Sequence, residues 1–371
     1  MAVIRGIRAP EAIFYSYFKN IDIKFIYLSQ KPAFYPINLP NLEMVNLLFK
    51  PKYLLDPIAV VNGGHYNHRS WAEIEGVESE LDDCDIVCLT DTFYVWNKTI
   101  SEMVERKNKR LVTVVWESIK SHPSVFLPPY SSSVKAVVRN TDLFIARSKL
   151  ASNFIKSRGV SNKKVKVIYK GIDLKKFFPG KSRKSSFPVK ILYVGQLTKS
   201  KGVDDLLAAF ALLTKEVPHV ELIIAGSGPL EVKINDMVTS YPISYLGFVD
   251  YDTLPNIYRE ADIFCSVSKE IRYFGMKVWE ELFSYTLMEA LGSGLPIVAT
   301  RSGGIPEEIG EDNFLVPPGN AKELFRALVS LSKNLDLRRN LGSKNRKRAE
   351  KMFDITVQAK KTEDAILSIL K

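Results

Sequence analysis

The chain has 371 residues, a length typical of two domains of about 150–200 residues each. Hydrophobic residues make up 46% and charged residues 25%, which excludes a disordered, fibrous or disulfide-stapled chain. The 52 Lys and Arg outnumber the 41 Asp and Glu, so the net charge is +11. No apolar run approaches the ~18 residues of a membrane span, and the first residues lack the layout expected of a secretory leader.

The excess positive charge lies in the first half of the sequence. Residues 1–180 contain 26 basic and 17 acidic side chains, a net charge of +9, whereas residues 181–371 contain 26 and 24, a net charge of +2. Such a distribution favours an anionic partner: a phosphate-bearing substrate, a membrane surface or nucleic acid. Solubility alone is the alternative explanation.

The cysteines, Cys84, Cys88 and Cys265, are few and odd in number. This predicts a reducing compartment, and because each lies in an apolar run we expect buried free thiols. We therefore expect a cytoplasmic protein.

Short β-rich runs alternate with amphipathic helical patterns along the whole chain. Many runs are apolar on both faces, as in parallel strands covered by helices on both sides. The pattern predicts a doubly wound α/β fold. The predicted strands are 2–5, 22–28, 59–61, 85–90, 110–116, 142–147, 164–171, 190–195, 220–226, 244–249, 262–268, 295–300 and 314–319. The clearest predicted helices are 203–217, 254–261, 286–294 and 321–334.

The segment 179–188 has the composition of a linker, since prolines bound it and it is rich in Ser and Lys. We expect one α/β domain over residues 1–179 and a second over residues 187–350. The closing helix, 351–371, is expected to return and complete the first domain.

Gly195-Gln196-Leu197 follows a predicted strand, and Lys201-Gly202 opens the next helix. A glycine after a strand exposes backbone N–H groups, and a helix start and a lysine add positive charge. The pattern favours a phosphate cradle, although many ordinary strand–helix turns contain Gly and Lys.

Two glutamates, Glu281 and Glu289, flank the start of a helix that leads into a buried strand. Ser284, Tyr285 and Thr286 would lie at the helix start, with amides free to bind a diphosphate. Glu289 could accept hydrogen bonds from a vicinal diol such as a ribose, and Glu281 could meet the sugar end of the same ligand. Glutamates at this spacing are also common on solvated helices.

Further motifs accompany these two in a fixed order over residues 167–307. They are Val167-Ile168, Gly171-Ile172-Asp173, Phe178-Pro179, Gly226-Ser227-Gly228-Pro229, Leu246-Gly247-Phe248-Val249, Ala261-Asp262-Ile263-Phe264 and Gly303-Gly304-Ile305-Pro306-Glu307. The whole set resembles the nucleotide-sugar domain of family 4 retaining glycosyltransferases. The segment 142–156 resembles the last helix region of that family's acceptor domain, and before it the resemblance is diffuse. The resemblance implies the GT-B fold, two facing doubly wound Rossmann-like domains with a cleft between them.

The resemblance also implies residue roles. Lys201 would contact the donor diphosphate, Glu289 the ribose hydroxyls and Glu281 the transferred sugar, while the Phe248 backbone would lie near the base. With Glu117, discussed below, Glu281 and Lys201 form our catalytic set. The donor-binding set is Gly195, Gln196, Lys201, Phe248, Glu281, Ser284, Tyr285, Thr286 and Glu289.

Three departures from the family pattern matter. Gln196 stands where the family usually has an arginine, and Ser284 stands where it usually has glycine. The stretch 268–280 before Glu281 is longer than usual, so sugar specificity cannot be transferred from the family. Arg272 or Arg301 could replace the missing cation.

The first half offers weaker candidates for the acceptor side. Glu117 ends a predicted strand, and ligands in α/β sheets bind beyond the carboxyl ends of strands. His122 lies on the loop that follows. Gly6 and His65 lie in glycine-containing turns, which are more often plain loops.

The sequence and the resemblance together predict a metal-independent glycosyltransferase without a cofactor, and the resemblance implies that it is retaining. Its donor would be a nucleotide sugar, and its acceptor a carbohydrate or a polyprenyl-phosphate-linked glycan, with peripheral contact at the inner, anionic membrane face as an option. A nucleotide-sugar epimerase or a sugar phosphorylase of the same architecture is the first alternative. A nicotinamide enzyme is disfavoured by the lack of G-x-G-x-x-G, and a basic nucleic-acid-binding module by the lack of a reading motif. The histidines show no zinc spacing.

Overall fold

The computed structural model describes residues 1–5, 9–29, 42–51, 72–180 and 188–370. The chain forms two compact units. The first unit comprises Met1–Lys170, Ile271–Trp279 and Ile355–Lys371, and the second comprises Gly171–Glu270 and Glu280–Asp354. Most of the linker expected at 179–188 and the strand expected at 59–61 lie outside the described residues.

The strands follow the chain in order. They are β1 (Ala2–Arg5), β2 (Ile23–Ser29), β3 (Leu42–Pro51), β4 (Ala72–Ile74), β5 (Ile86–Thr90), β6 (Arg110–Val115), β7 (Leu143–Ala146), β8 (Val165–Val167), β9 (Val189–Val194), β10 (Val220–Ala225), β11 (Ile243–Gly247), β12 (Ile263–Ser266), β13 (Ile271–Tyr273), β14 (Met276–Trp279), β15 (Ile297–Thr300) and β16 (Phe314–Val316).

The α-helices are likewise numbered in chain order. They are α1 (Ala9–Ser16), α2 (Val77–Glu80), α3 (Val95–Arg106), α4 (Tyr130–Asn140), α5 (Lys149–Lys156), α6 (Val203–Glu216), α7 (Glu231–Val238), α8 (Leu254–Glu260), α9 (Tyr285–Gly292), α10 (Ile305–Ile309), α11 (Ala321–Lys333), α12 (Leu335–Met352) and α13 (Ile355–Leu367). No helix in the described parts of the chain has both the length and the hydropathy needed to cross a bilayer.

The sheet of the first unit has the order β4-β3-β2-β1-β5-β6-β7-β8 within the described ranges. Its strands pair in parallel, except that β4 runs antiparallel to β3. From β1 the chain builds outwards first on one side and then, starting with β5, on the other. The strand order therefore reverses between β1 and β5.

The sheet of the second unit has the order β11-β10-β9-β12-β15-β16 in the described part of the chain, and all of these pairs are parallel. Its strand order reverses between β9 and β12. Because β12 and β15 are buried along their whole length, the apolar sequences IFCS and IVAT are covered on both faces. Both sheets confirm the predicted doubly wound α/β fold.

Helix α6 shows how the core of the second unit forms. Its residues Val203, Leu206, Phe210 and Leu213 recur at helical spacing and are fully buried against the sheet. Burying each such side chain stabilises the fold by about 1.5–3 kcal/mol.

Helix α13 is joined to the first unit by a polar contact. Glu363 Oε1 accepts hydrogen bonds from the backbone N–H groups of Lys19 (2.8 Å) and Asn20 (2.5 Å). The preceding helix, α12, belongs to the second unit.

The structure contains elements that the sequence analysis missed. Strand β3 lies at a half-buried part of the sheet, where Glu43 and Asn46 interrupt the apolar pattern. The hairpin β13–β14 lies inside the long stretch before Glu281, and it belongs to the first unit although its neighbours in the chain belong to the second.

Candidate active site

The predicted phosphate cradle of the second unit lies at the point where the strand order reverses. Gly195 directly follows β9, and Ser268 lies two residues beyond the end of β12. Ligands of open α/β sheets bind outside the carboxyl ends of the strands at such a point. The topology therefore places the phosphate-cradle motif where a ligand is expected.

An ion pair joins the loop after β9 to the segment before α9. Lys201 Nζ lies 2.6 Å from Glu281 Oε2, and the Ser268 hydroxyl donates a second hydrogen bond of 2.6 Å to the same oxygen. Glu281 is 8% exposed. Its carboxylate is therefore held in one orientation by a cation and a hydroxyl from two other loops.

The backbone of Glu281 is fixed as well. Gly304 N–H donates to the Glu281 carbonyl over 2.8 Å. Gly303 has a φ of +50°, and a Cβ at this position would lie 2.1 Å from the same carbonyl oxygen. Only glycine allows so close an approach, which explains why this motif accompanies Glu281.

Gly202 ends the loop after β9 and begins α6, as predicted. Its φ is +70°, and a Cβ would lie 1.9 Å from the carbonyl oxygen of Val267. Close packing of this turn against the end of β12 holds Lys201 at the site. Gln196, on the same turn, has an exposed side chain.

Glu289 lies inside helix α9 and is 2% exposed. The Tyr258 hydroxyl donates to Glu289 Oε2 over 2.9 Å. Burial raises the pKa of Glu289 to about 7, and the hydrogen bond from Tyr258 partly opposes this shift. The position of Glu289 on the helix is the predicted one, and Tyr258 is a partner that the sequence analysis missed.

The start of α9 differs from the prediction at one amide. Ser284 N–H donates to Glu308 Oε2 over 2.9 Å, so the prediction that this amide is free to bind a diphosphate is wrong. The Ser284 and Thr286 hydroxyls lie 2.9 Å apart. Ser284, Tyr285 and Thr286 are all half-buried at the first turn of the helix.

Glu308 enters this contact because α10 packs beside α9. It is fully buried, and burial raises its pKa well above the usual range. The motif that ends in Glu307 was noted in the sequence. No local pattern indicated that the next residue, Glu308, would accept a hydrogen bond from the Ser284 N–H.

The other residues around the predicted donor site are more exposed or bound elsewhere. Phe248, after β11, is 76% exposed. Arg301 forms a two-pronged ion pair with Glu311 at 3.2 and 3.1 Å. Lys269 pairs with Asp205 at 2.9 Å. Arg272 lies on the hairpin β13–β14, which belongs to the first unit, whereas Gln196 belongs to the second. Among the described residues, no observed contact joins Arg272 or Arg301 to Gln196.

In the first unit, Glu117 follows β6 and is 2% exposed. Its Oε1 accepts hydrogen bonds from the N–H groups of Ser118 (2.9 Å) and Ile119 (2.8 Å). Asp91, which follows β5, accepts from the N–H groups of Trp116 and Glu117 at 2.8 and 3.1 Å. Asp91 was missed, although a carboxylate directly after a buried strand could have indicated it.

His122 lies on the same loop and is 1% exposed. Its Nδ1 accepts from the backbone N–H of Ser124 (3.2 Å) and lies 2.7 Å from the Ser124 hydroxyl. Burial lowers the pKa of His122 to about 4, an effect that the backbone of Val278 partly opposes. The imidazole is therefore neutral at physiological pH.

Gly6 and His65 lie outside the described residues. Within the described ranges no cluster of three His, Cys, Asp or Glu side chains could hold a metal ion. The three cysteines are free and buried, as predicted.

Comparison with known proteins agrees with this fold. Residues 175–348 match the model of the family glycosyl transferases group 1. HepE of Anabaena, crystallised with UDP and glucose, is 16% identical, with a TM-score of 0.73 and 99% of each chain covered. Sucrose-phosphate synthase of Thermosynechococcus elongatus is 18% identical, with a TM-score of 0.75, 100% of this chain and 98% of that chain covered. The chain has the GT-B fold.

Curated relatives match part of this GT-B chain at low identity. Sulfoquinovosyl transferase SQD2 of Arabidopsis thaliana is 24% identical over 268 residues, which cover 66% of this chain and 50% of the relative. N-acetyl-alpha-D-glucosaminyl L-malate synthase of Bacillus anthracis is 26% identical over 239 residues, which cover 61% and 59%. The matches span about half the length of these relatives.

Proposed function

We propose that the chain is a retaining glycosyltransferase of family 4 that moves a sugar from a nucleotide-diphosphate donor to a carbohydrate or lipid-linked acceptor. The observation that carries this proposal is the Lys201–Glu281 ion pair at the strand-order reversal of the second unit. It lies in the segment that matches glycosyl transferases group 1. The UDP-glucose complex of HepE, a structure of the same fold, supports a nucleotide sugar as the donor.

Each donor residue has a role that its surroundings support. Glu289 accepts hydrogen bonds from the ribose hydroxyls, with Tyr258 fixing its other oxygen. Glu281 accepts from hydroxyls of the transferred sugar. Since an ammonium can donate three hydrogen bonds, Lys201 can bind Glu281 and a phosphate oxygen together.

The chemistry requires that negative charge on the leaving diphosphate be stabilised as it develops. Lys201 and the N–H groups at the start of α9, Thr286 among them, provide fixed positive charge and dipoles for this purpose. These groups supply what a divalent cation supplies in other transferases, so the proposal requires neither a metal ion nor a cofactor. Gln196 adds a neutral amide.

We propose front-face attack as the retaining route. The bond between the anomeric carbon and the leaving phosphate oxygen breaks, and the acceptor oxygen bonds to the same face of that carbon. The acceptor proton passes to the leaving phosphate. Glu281 is held by Lys201 and Ser268, an arrangement that favours orientation of the sugar over nucleophilic attack.

The acceptor is assigned to the first unit. Glu117 and the neutral imidazole of His122 lie on one loop at the carboxyl end of β6. The Glu117 carboxylate, held by two backbone N–H groups, can accept from an acceptor hydroxyl. Charge supports the same assignment, since the first unit carries 29 basic and 18 acidic residues, a net charge of +11, and the second carries 23 of each.

This charge supports peripheral contact between the first unit and an anionic membrane, where a polyprenyl-phosphate-linked acceptor would be found. Basic residues near such a surface are attracted to it, and salt screens the attraction. We place the protein in the cytoplasm, at the inner membrane face.

A thermal-shift screen with nucleoside diphosphates and their sugars tests the donor assignment. We expect one of the UDP, GDP or ADP series to raise the melting temperature, with the diphosphate sugar and the free diphosphate both effective. Adding acceptor glycans should then release the diphosphate and form a product with the anomeric configuration of the donor. Donor that isomerises without an acceptor would identify an epimerase instead.

A further inference from the structure

The hairpin β13–β14 presents an apolar tip to solvent. Residues 272–276 are all exposed, and the Phe274 side chain is 102% exposed, so it packs against none of the residues that the structure describes. Tyr273 and Met276, the pair that closes the turn, are 39% and 40% exposed. Three large apolar side chains therefore stand together at a projecting turn, where a protein surface usually carries polar residues.

The turn itself is unusual for its sequence. Phe274 has a φ of +48° and Gly275 a φ of +80°, as a two-residue hairpin turn requires. Asn is the residue that normally occupies the first position, because bulky side chains are strained there. An aromatic residue that is strained and unpacked among the described residues indicates a partner outside the fold.

Positive charge flanks the tip. Arg272 precedes it and Lys277 follows it, and residues 271–279 contain no acidic residue. The hairpin belongs to the first unit, which carries the entire net charge of +11. An apolar partner with a negatively charged surface matches this combination.

The hairpin is attached to the acceptor-side loop of the same unit. The backbone of Val278 lies close enough to the ring of His122 to affect its pKa, and Val278 is buried. A few residues after His122, the loop exposes Phe126 (52%) and Leu127 (44%). A second apolar group thus lies on the loop that holds the base of the hairpin.

We propose that residues 273–276 insert into the headgroup region of an anionic phospholipid bilayer, while Arg272 and Lys277 bind lipid phosphates. Aromatic side chains favour the interface between headgroups and acyl chains, and basic side chains favour anionic headgroups. This inference rests on the membrane contact included in the proposed function, and it names the element that makes it. The hairpin then holds the His122 loop at the membrane surface.

Co-sedimentation of the full chain with vesicles tests the inference. We would compare vesicles of phosphatidylcholine with phosphatidylglycerol and vesicles of phosphatidylcholine alone. Phe274→Asn suits the turn and keeps the hairpin, and it should lower partitioning into anionic vesicles about tenfold. Arg272→Ala and Lys277→Ala should each lower it about fivefold at low salt, with smaller effects at high salt.

Two exposed residues of the second unit serve as matched controls. Val232→Ala removes an exposed apolar side chain and Lys322→Ala an exposed charge, and neither should change partitioning. Donor binding, measured without vesicles, should be the same in Phe274→Asn as in the parent, which separates this inference from the donor assignment.

The outcomes are distinct. Equal binding of the parent chain and of Phe274→Asn to anionic vesicles would overturn the role of the hairpin and leave the membrane contact standing. Parent chain that does not sediment would overturn both. If the parent chain elutes as a dimer in size-exclusion chromatography and Phe274→Asn elutes as a monomer, with no change in sedimentation, a second copy covers the tip and the inference is overturned.

Discussion

Lys201 Nζ lies 2.6 Å from Glu281 Oε2, although the two residues are 80 positions apart in the chain. The contact joins the loop after β9 to the segment before α9, both in the second unit. It brings a cation and a carboxylate to the point where the strand order of this sheet reverses. The proposed donor chemistry depends on this pair.

We expect Lys201→Ala to lower turnover at least ~100-fold, which corresponds to about 2.7 kcal/mol in the barrier. The lysine faces the developing charge of the leaving diphosphate, and Arg301 is bound to Glu311 instead. Steady-state kinetics with the donor found in the screen measure the effect. Lys199→Ala, an exposed lysine on the same loop, is the matched control and should behave like the parent. Lys201→Ala activity within fivefold of the parent would show that another cation serves the leaving group.

The raised pKa of Glu289, about 7, makes stability depend on pH. The folded state binds this proton more tightly than the unfolded state, in which the pKa is near 4.5. The contribution of Glu289 to the free energy of unfolding is therefore greatest below about pH 4.5. It is lost as the pH rises through 7, and the total loss is about 3 kcal/mol.

Chemical denaturation of the parent and of Glu289→Gln at acidic and at alkaline pH checks this. The difference in unfolding free energy between the two proteins should shift in favour of Glu289→Gln as the pH rises. A difference that stays constant across the same range would mean that Glu289 has the same pKa in the folded and in the unfolded protein, which would contradict the raised value.

His122 should show the opposite behaviour. Burial lowers its pKa to about 4, so the folded state disfavours the charged ring. Its contribution to stability is complete above the ordinary value of 6.5 and is lost as the pH falls towards 4. Nitrogen NMR of the imidazole should find a neutral ring at pH 6.5, with titration only near 4. Titration between 6 and 7, near the ordinary histidine pKa of 6.5, would contradict the buried position that we describe.

Gln196→Arg should be tolerated and should tighten binding of the free nucleoside diphosphate roughly three- to tenfold. The Gln196 side chain is exposed beside the phosphate loop, so a longer side chain fits. Hydrogen bonds to charged groups contribute about 1.5–3 kcal/mol, against about 1 for neutral ones. Calorimetric titration compares the two proteins. Lys199→Arg is the control, because it introduces an arginine on the same loop without changing the net charge. Equal affinity in Gln196→Arg and the parent would place residue 196 away from the diphosphate.

Local sequence patterns predicted the fold and the positions of the main site residues. The glycine at 195, the helix start at Gly202 and the spacing of Glu281 and Glu289 all reflect requirements within one loop or helix. The buried strands of both sheets carry their apolar patterns in short segments, so the doubly wound fold could be inferred from them.

The partners of these residues could not be predicted in the same way. Ser268 holds Glu281 across 13 residues, Tyr258 holds Glu289 across 31, and Glu308 covers Ser284 across 24. Each contact results from how strands and helices pack, which no local pattern records. The hairpin β13–β14 was missed for a related reason, since Phe-Gly lacks the usual Asn-Gly signature of its turn.

The most direct test of the central claim is calorimetric titration of the parent and of Glu289→Ala with UDP, GDP and ADP. The account predicts that the parent binds one of these diphosphates, and that Glu289→Ala weakens this binding by about 1–3 kcal/mol, because the ribose hydroxyls lose a buried acceptor. No binding to any of the three, or equal affinity in the two proteins, would contradict the assignment of the second unit as a nucleotide-sugar-binding domain.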